Sequence, residues 1–385
     1  MIELFSCKQA FRMPRNQPFV LLMIAVFSFA ANFSCAQAKK EVTVKIQHND
    51  TTIYGYPIGW NGKQIALLRL DGQLSFVSAT SSDAGEVVAT DFRPYSPRQL
   101  KERLQKEFGK RYDVSITPHF VVVHPWGKRE IWAEPFEEFY SRFEYYFSSQ
   151  GLQLTKPRFP QIVIVLRSRS DFDRHMNKDD LKYDPSVAGY YSRRTNRMIT
   201  YDPSQLLRVE KDSWLYSSST VIHEAAHQSA FNYGVHNRFS PPPLWLSEGV
   251  AMLFEARGVH HAEKYPAIKD RLNSRRFLVL KEAYEKEKVA GKISQMLVDD
   301  RMFQTDTEFA YALAWGLSFY LAENQPKAYI EFLKRDSQRR DFKPYPPVDR
   351  LQDFANAFGA DFEELEKGMK TFFLGDSDKK KEKDP

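Results

Sequence analysis

Two histidines four residues apart enclose a glutamate and two alanines in the run Val221-Ile222-His223-Glu224-Ala225-Ala226-His227. On an α-helix, positions i and i+4 lie about 40° apart around the axis, so both imidazoles face the same way. Val221, Ile222, Ala225 and Ala226 supply apolar packing, and the hydroxyls of Ser217, Ser218, Ser219 or Thr220 offer an N-cap. Two neutral imidazoles on one face can take a tetrahedral metal at ~2.0–2.1 Å, with zinc the usual occupant. Glu224, directly after His223, points to the side, where it reaches a metal-bound water instead of the metal. The plain alternative is a pair of satisfied polar residues on a half-buried helix.

A second stretch narrows that choice. Twenty residues separate His227 from Glu248, which lies inside Pro243-Leu-Trp-Leu-Ser-Glu-Gly-Val-Ala-Met-Leu-Phe-Glu255. Pro243 suits a first helical turn, and Arg257-Gly258 supplies a glycine stop. A carboxylate on this second helix completes two histidines and leaves a fourth position for water, the arrangement of catalytic zinc sites. An isolated helix glutamate is usually solvated, but few exposed helix faces are as apolar as this one.

HEAAH followed on the next helix by WLSEGVA resembles the gluzincin, or peptidase-MA-like, zinc metallopeptidases, closest to a branch of exported bacterial proteins. The resemblance covers roughly residues 114–333. It implies one zinc per chain, held by His223, His227 and Glu248, with Glu224 as general base and a peptide or protein as substrate. The metzincin pattern needs a third histidine six residues after His227, where Tyr233 stands. The glycine-rich exopeptidase motif of the aminopeptidase N branch is not found. In gluzincins a later helix often donates a hydrogen bond to the tetrahedral oxyanion. Tyr311, in Glu308-Phe-Ala-Tyr-Ala-Leu-Ala-Trp-Gly, is the candidate, with core packing the alternative for so aromatic a helix. Glu255 shares the face of Glu248 and can orient His223 or His227, or stand solvated. His236 and His260-His261 read as surface or loop histidines. The Arg193-Arg194-Thr-Asn-Arg197 turn is basic enough to select acidic groups, although an exposed hairpin tip accounts for it more simply.

Composition excludes other chemistries. The two cysteines, Cys7 and Cys35, both lie near the start, so the body offers no thiolate for a nucleophile, zinc finger or iron–sulfur cluster. A formal charge of +6 over 385 residues argues for no nucleic-acid partner. With 42% hydrophobic and 27% charged residues the chain can bury a real core. Residues 1–38 read as a signal peptide: Arg12 and Arg15, an apolar run from Phe19 to Ala31, then Ala36-Gln-Ala38. Met13 is an alternative start. An uncleaved anchor, or lipid attachment at Cys35, is the lesser alternative to a periplasmic or secreted bacterial protein.

The expected fold class is α+β. A small all-β, SH3-like barrel (residues 39–95) is expected from the alternation of Val42, Val44 and Ile46 and from the Asn61-Gly62 and Asp71-Gly72 turns. It would serve as a spacer or dock a cell-envelope partner. A linker and helix (96–112) lead to a thermolysin/gluzincin-like domain (113–375), a small sheet followed by helices. Its expected elements are a strand over 114–124, a helix over 136–150, a central strand over 162–166 and a hairpin of 189–192 with 197–201. That hairpin could add a peptide substrate to its edge. The tail 376–385 is a charge run. Two readings compete with a peptidase: a non-catalytic zinc-containing binding protein, and a zinc hydrolase of another amide or an ester.

Overall fold

The computed structural model describes residues 41–48, 51–61, 63–78, 85–178, 187–204, 213–260 and 265–375. The signal-peptide and charged-tail expectations therefore lie outside the described residues. The chain divides into two compact units, 1–93 and 94–385. Among the described residues no helix is long and apolar enough to cross a membrane.

The first unit is β-rich. Its strands are β1 (Thr43–His48), β2 (Thr51–Trp60), β3 (Gln64–Arg69), β4 (Leu74–Ser78) and β5 (Glu86–Ala89). They form one antiparallel sheet of order β4-β3-β2-β1-β5, so the last strand returns to the first. Alternation puts Val44 and Ile46 inward, where they meet Ile53, Ile65, Leu67 and Val77. The β3–β4 turn uses Gly72 at φ 83°, a conformation that favours glycine.

The second unit opens with helix α1 (Pro97–Phe108). Ser96 and Gln99 cap it reciprocally, and Pro97 occupies the first turn. Leu100 and Leu104 bury against the sheet, so this segment is part of the domain's core and not a linker. Strands β6 (Tyr112–Ile116) and β7 (Phe120–Pro125) follow. The single strand expected over 114–124 is thus two antiparallel strands, because Thr117 N–H bonds back to the Phe120 carbonyl and turns the chain. Helix α2 (Arg129–Ser149) starts seven residues before Phe136, with Pro135 inside it. Strand β8 (Gln161–Leu166), helix α3 (Arg169–Lys178) and the hairpin β9 (Gly189–Ser192) and β10 (Arg197–Tyr201) complete a five-stranded sheet of order β6-β7-β8-β10-β9. β8 is central and pairs in parallel with β7 and β10. Its β-branched run is buried on both faces.

The rest is helical: α4 (Ser213–Asn232), α5 (Leu244–Leu253), α6 (Arg257–His260), a 3-10 turn at Ile268–Arg271, α7 (Ser274–Glu285), α8 (Lys292–Val298), α9 (Met302–Thr305), α10 (Thr307–Asn324), α11 (Pro326–Ser337), α12 (Pro347–Phe358) and α13 (Phe362–Leu374). α4 begins upstream of the expected cap, so Ser219 and Thr220 lie within the helix. α10 is buried almost all round and packs on α5, α7, α11 and α13. Its approach to α5 is closest at Gly249, where a Cβ would stand 1.9 Å from Ser318 Oγ and 2.9 Å from the Ala314 carbonyl. The architecture is α+β, with a β-rich N-terminal region and a helical C-terminal part.

Candidate metal centre

The sheet fixes the rotation and height of α4. Gln228 Nε2 donates to the carbonyls of Ile162 (2.9 Å) and Asn196 (3.2 Å), and Ser229 Oγ donates to Gln161 Oε1 at 3.1 Å. Asn232 Nδ2 donates to Asn196 Oδ1 at 2.9 Å in the β9–β10 turn. Asn196 itself holds φ 56° there. With α4 registered, His223 and His227 face α5.

There Glu248 meets both. Glu248 Oε2 lies 3.2 Å from His223 Nε2 and 3.3 Å from His227 Nε2, and the two nitrogens are 3.1 Å apart. Donors bound to a tetrahedral ion at ~2.0–2.1 Å stand about 3.3 Å from each other. The triangle therefore has the edge of a tetrahedral face, and its two nitrogens and one oxygen are a donor set zinc takes. Glu248 Oε2 is buried without a hydrogen bond of normal geometry, as expected of an atom aimed at an ion.

Surrounding groups prepare this triangle. His223 Nδ1 lies 2.8 Å from Glu255 Oε1. A carboxylate there fixes the imidazole proton on Nδ1 and leaves the Nε2 lone pair free for the centre. Asn273 Nδ2 in turn donates to Glu255 Oε2 at 2.6 Å. Glu255 thus orients His223, one of its two sequence-based readings. Burial alone would lower the His223 pKa, but the Glu248 and Glu255 carboxylates beside its two ring nitrogens outweigh it and raise the pKa well above the ordinary value. Burial pushes Glu248 upward, yet the two imidazoles win and hold its carboxyl far below the ordinary range.

Glu224 is kept apart from the triangle. Its Oε2 accepts the Tyr191 backbone N–H at 2.7 Å, an amide of the hairpin's outer edge. Burial raises its pKa despite the nearby imidazoles. Tyr311, on the first turns of α10, lines a cleft together with His223, and its phenol is pushed up first by the Glu248 charge and then by burial. It remains a protonated donor at neutral pH. The cleft encloses about 550 Å³ and is lined by His223, Glu255, Asn273, Arg276 and Tyr311, among others.

Of the remaining sequence candidates, His236 and the basic hairpin turn fall outside the site. His236 is in a loop, as expected, but it is 2% exposed and no surface residue. The segment rises from α4 with Tyr233 and Val235 also buried and carries His236 against Phe231. His261 lies outside the described residues. The basic hairpin turn is bound into the fold: Arg197 pairs with Glu107, Arg193 lies over Phe231, and Arg238 holds the Arg193 and Arg194 carbonyls. Asn273, Arg276 and the Tyr191 amide were not foreseen. The first two sit on a helix remote from both motifs, and a main-chain donor has no sequence signature.

Residues 217–343 match a family model described as a protein of unknown function (DUF1570). The matched segment holds every side chain of the centre, from His223 to Tyr311. No curated protein matches the chain significantly.

Proposed function

We propose that the chain is a zinc-dependent metallopeptidase of gluzincin-like fold, exported by a bacterium and hydrolysing peptide bonds. The observation that carries the proposal is the division of labour among buried groups. His223, His227 and Glu248 converge on one point, while Glu224, on the same helix turn, is tethered elsewhere. A purely structural site has no use for that second, separately held carboxylate.

His223, His227 and Glu248 would hold the ion. Zinc bound there would supply Lewis acidity and acidify an attacking water. Glu224 would accept a proton from that attacking water and return it to the leaving amine. The Tyr191 N–H occupies one Glu224 oxygen and leaves the other without a protein donor among the described residues. Desolvation makes this carboxylate a stronger base than a solvated one. Tyr311 donates to the oxygen of the attacked carbonyl as negative charge grows there. The five-stranded antiparallel sheet of the first unit, whose last strand returns to pair with the first, supports reading it as a small SH3-like barrel, a docking module for a cell-envelope partner.

The decisive experiment is metal analysis of the purified mature chain followed by cleavage profiling on a mixed peptide library. One zinc per chain and peptide turnover are expected. Glu224→Gln should keep the zinc and lose turnover by at least about 10³-fold. Zinc without turnover would favour a non-catalytic binding protein, and turnover surviving in Glu224→Gln would remove this mechanism.

A further inference from the structure

The cleft beside the centre contains a cation that no described residue neutralises. Arg276 lies in the first turn of α7, where its backbone N–H is capped by Asn273 Oδ1 at 3.3 Å. Helix N-termini favour acids, because the first amides carry partial positive charge. α7 has no acid in that turn and carries Arg275 and Arg276 instead. The neighbouring arginines find partners. Arg271 forms a two-pronged bond to Glu323 (2.9 and 2.7 Å), and Arg275 reaches Glu308 at 3.7 Å.

Arg276 has no such pair among the described residues. Its guanidinium lies over the Tyr311 ring, 5.1 Å from the centroid, and its Nε is buried without a hydrogen-bond partner. The two nearest carboxylate charges are already engaged. Glu255 binds His223 and Asn273, and Glu248 faces both imidazoles. Burial weakens the guanidinium's hold on its charge, which shows that the site bears a desolvation cost. Lys269, Asp270 and Arg275 also line the cleft; the formal charges of the first two cancel, and Glu308 faces Arg275. An arginine fork held against an aromatic face, half out of water, is built to take a planar anion through paired N–H donors.

We propose that Arg276 receives a carboxylate of the substrate, so that the cleft selects peptides bearing negative charge beside the bond presented to the His223–His227–Glu248 centre. This names a substrate class for the hydrolytic reading above and rests on it. Two sources share this chemistry: the α-carboxylate of a peptide C-terminus, and the side chain of an internal aspartate or glutamate. The first would make the enzyme trim from the C-terminus; the second would make it cut beside acidic residues.

The test is equilibrium binding, read by fluorescence anisotropy, to the zinc-loaded Glu224→Gln chain, which does not consume its ligand. Four labelled peptides of one sequence suffice. One has a free C-terminus and one a C-terminal amide; one carries an internal glutamate and one glutamine, both amidated. The carboxylate form of one pair should bind about 10–100-fold more tightly than its amide isostere. Whichever pair shows the difference identifies the source. Adding Arg276→Gln should erase the difference, Arg276→Lys should keep part of it, and Arg275→Gln should leave it intact. Circular dichroism and thermal unfolding establish that each variant is folded. If Arg276→Gln does not fold, Arg276→Lys decides alone, because a point charge that fully reproduces the preference overturns the role of the fork.

Equal affinity within both pairs overturns the proposal, as does a preference that survives Arg276→Gln, or no binding by any of the four peptides. The hydrolytic reading fails separately. An Arg276-dependent preference in a wild-type chain that cleaves nothing would leave the carboxylate site standing without the reaction. Cleavage of charged and neutral peptides at equal rates would leave the reaction without the carboxylate site.

Discussion

The sheet of the second unit is covered on both faces, and buried hydrogen bonds weigh more on one than on the other. On one, Leu100 and Leu104 of α1 and Phe172 and Met176 of α3 meet Val121, Val123, Ile162, Ile164 and Ile199. On the other, Phe120, Val122, Val163, Val165 and Met198 meet α2 and α4, and there the sheet also grips α4 through Gln228, Ser229 and Asn232. Apolar burial is strong but has no direction, so it sets how firmly a layer adheres and tolerates small slips. Hydrogen bonds to fixed carbonyls set where the helix stops. A helix that must bring two imidazole nitrogens to a carboxylate within a few tenths of an ångström needs the second kind of contact.

The contrast can be broken by mutation, and the largest effect is expected on the face held mainly by apolar burial. Phe172→Ala should cost about 3–5 kcal/mol in urea unfolding through lost burial and a cavity. Zinc affinity of the folded fraction should stay unchanged; a parallel fall would show that the apolar face also positions the site. Gly249→Ala should cost less, about 1–3 kcal/mol by overpacking against Ser318, yet should weaken zinc markedly by displacing Glu248. Glu255→Gln sharpens the distinction further. Competition titration should show zinc weakened about 10–100-fold, with a melting temperature for the metal-free chain close to wild type. The smallest effect concerns acid. His236, buried behind the site, has its pKa lowered to about 3 by burial first, then by His227 and Arg339. The unfolded chain binds a proton below about pH 6.5 that the folded chain refuses, so stability is lost as pH falls from there toward 3. The slope is at most about 1.4 kcal/mol per pH unit, and His236→Leu should flatten it in unfolding measured from pH 7 to 5.

The same contrast explains what could be read from the amino-acid order. Features that depend on one segment were legible: the i, i+4 histidines, the alternation of Val44 and Ile46, the buried run of β8, and the hairpin closed at Asn196. Features that depend on a distant partner were not. Gly249 looks like a weak spot in a helix until α10 arrives with Ser318. His236 sits among loop residues, and nothing local shows that it is buried. The run 114–124 reads as one strand because apolar residues flank Thr117-Pro118 on both sides, and only the pairing of β6 with β7 shows the reversal. Glu255 stood open between two roles because its choice of His223 is a tertiary fact. Arg276 has no local signature, since its place rests on a partner that its neighbours have and that no described residue gives it.

The close approach of α5 to α10 has a consequence for how the protein is made. His223 and His227 emerge together on one helix, but two imidazoles hold a metal poorly. The third donor is positioned only after Gly249 has docked on a helix that ends at Asn324, close to one hundred residues beyond His227. Tight capture of an ion at the proposed centre would therefore be a late event in folding, after most of the chain has left the ribosome. In a chain threaded outward through a membrane, that timing would leave metal loading to the far side.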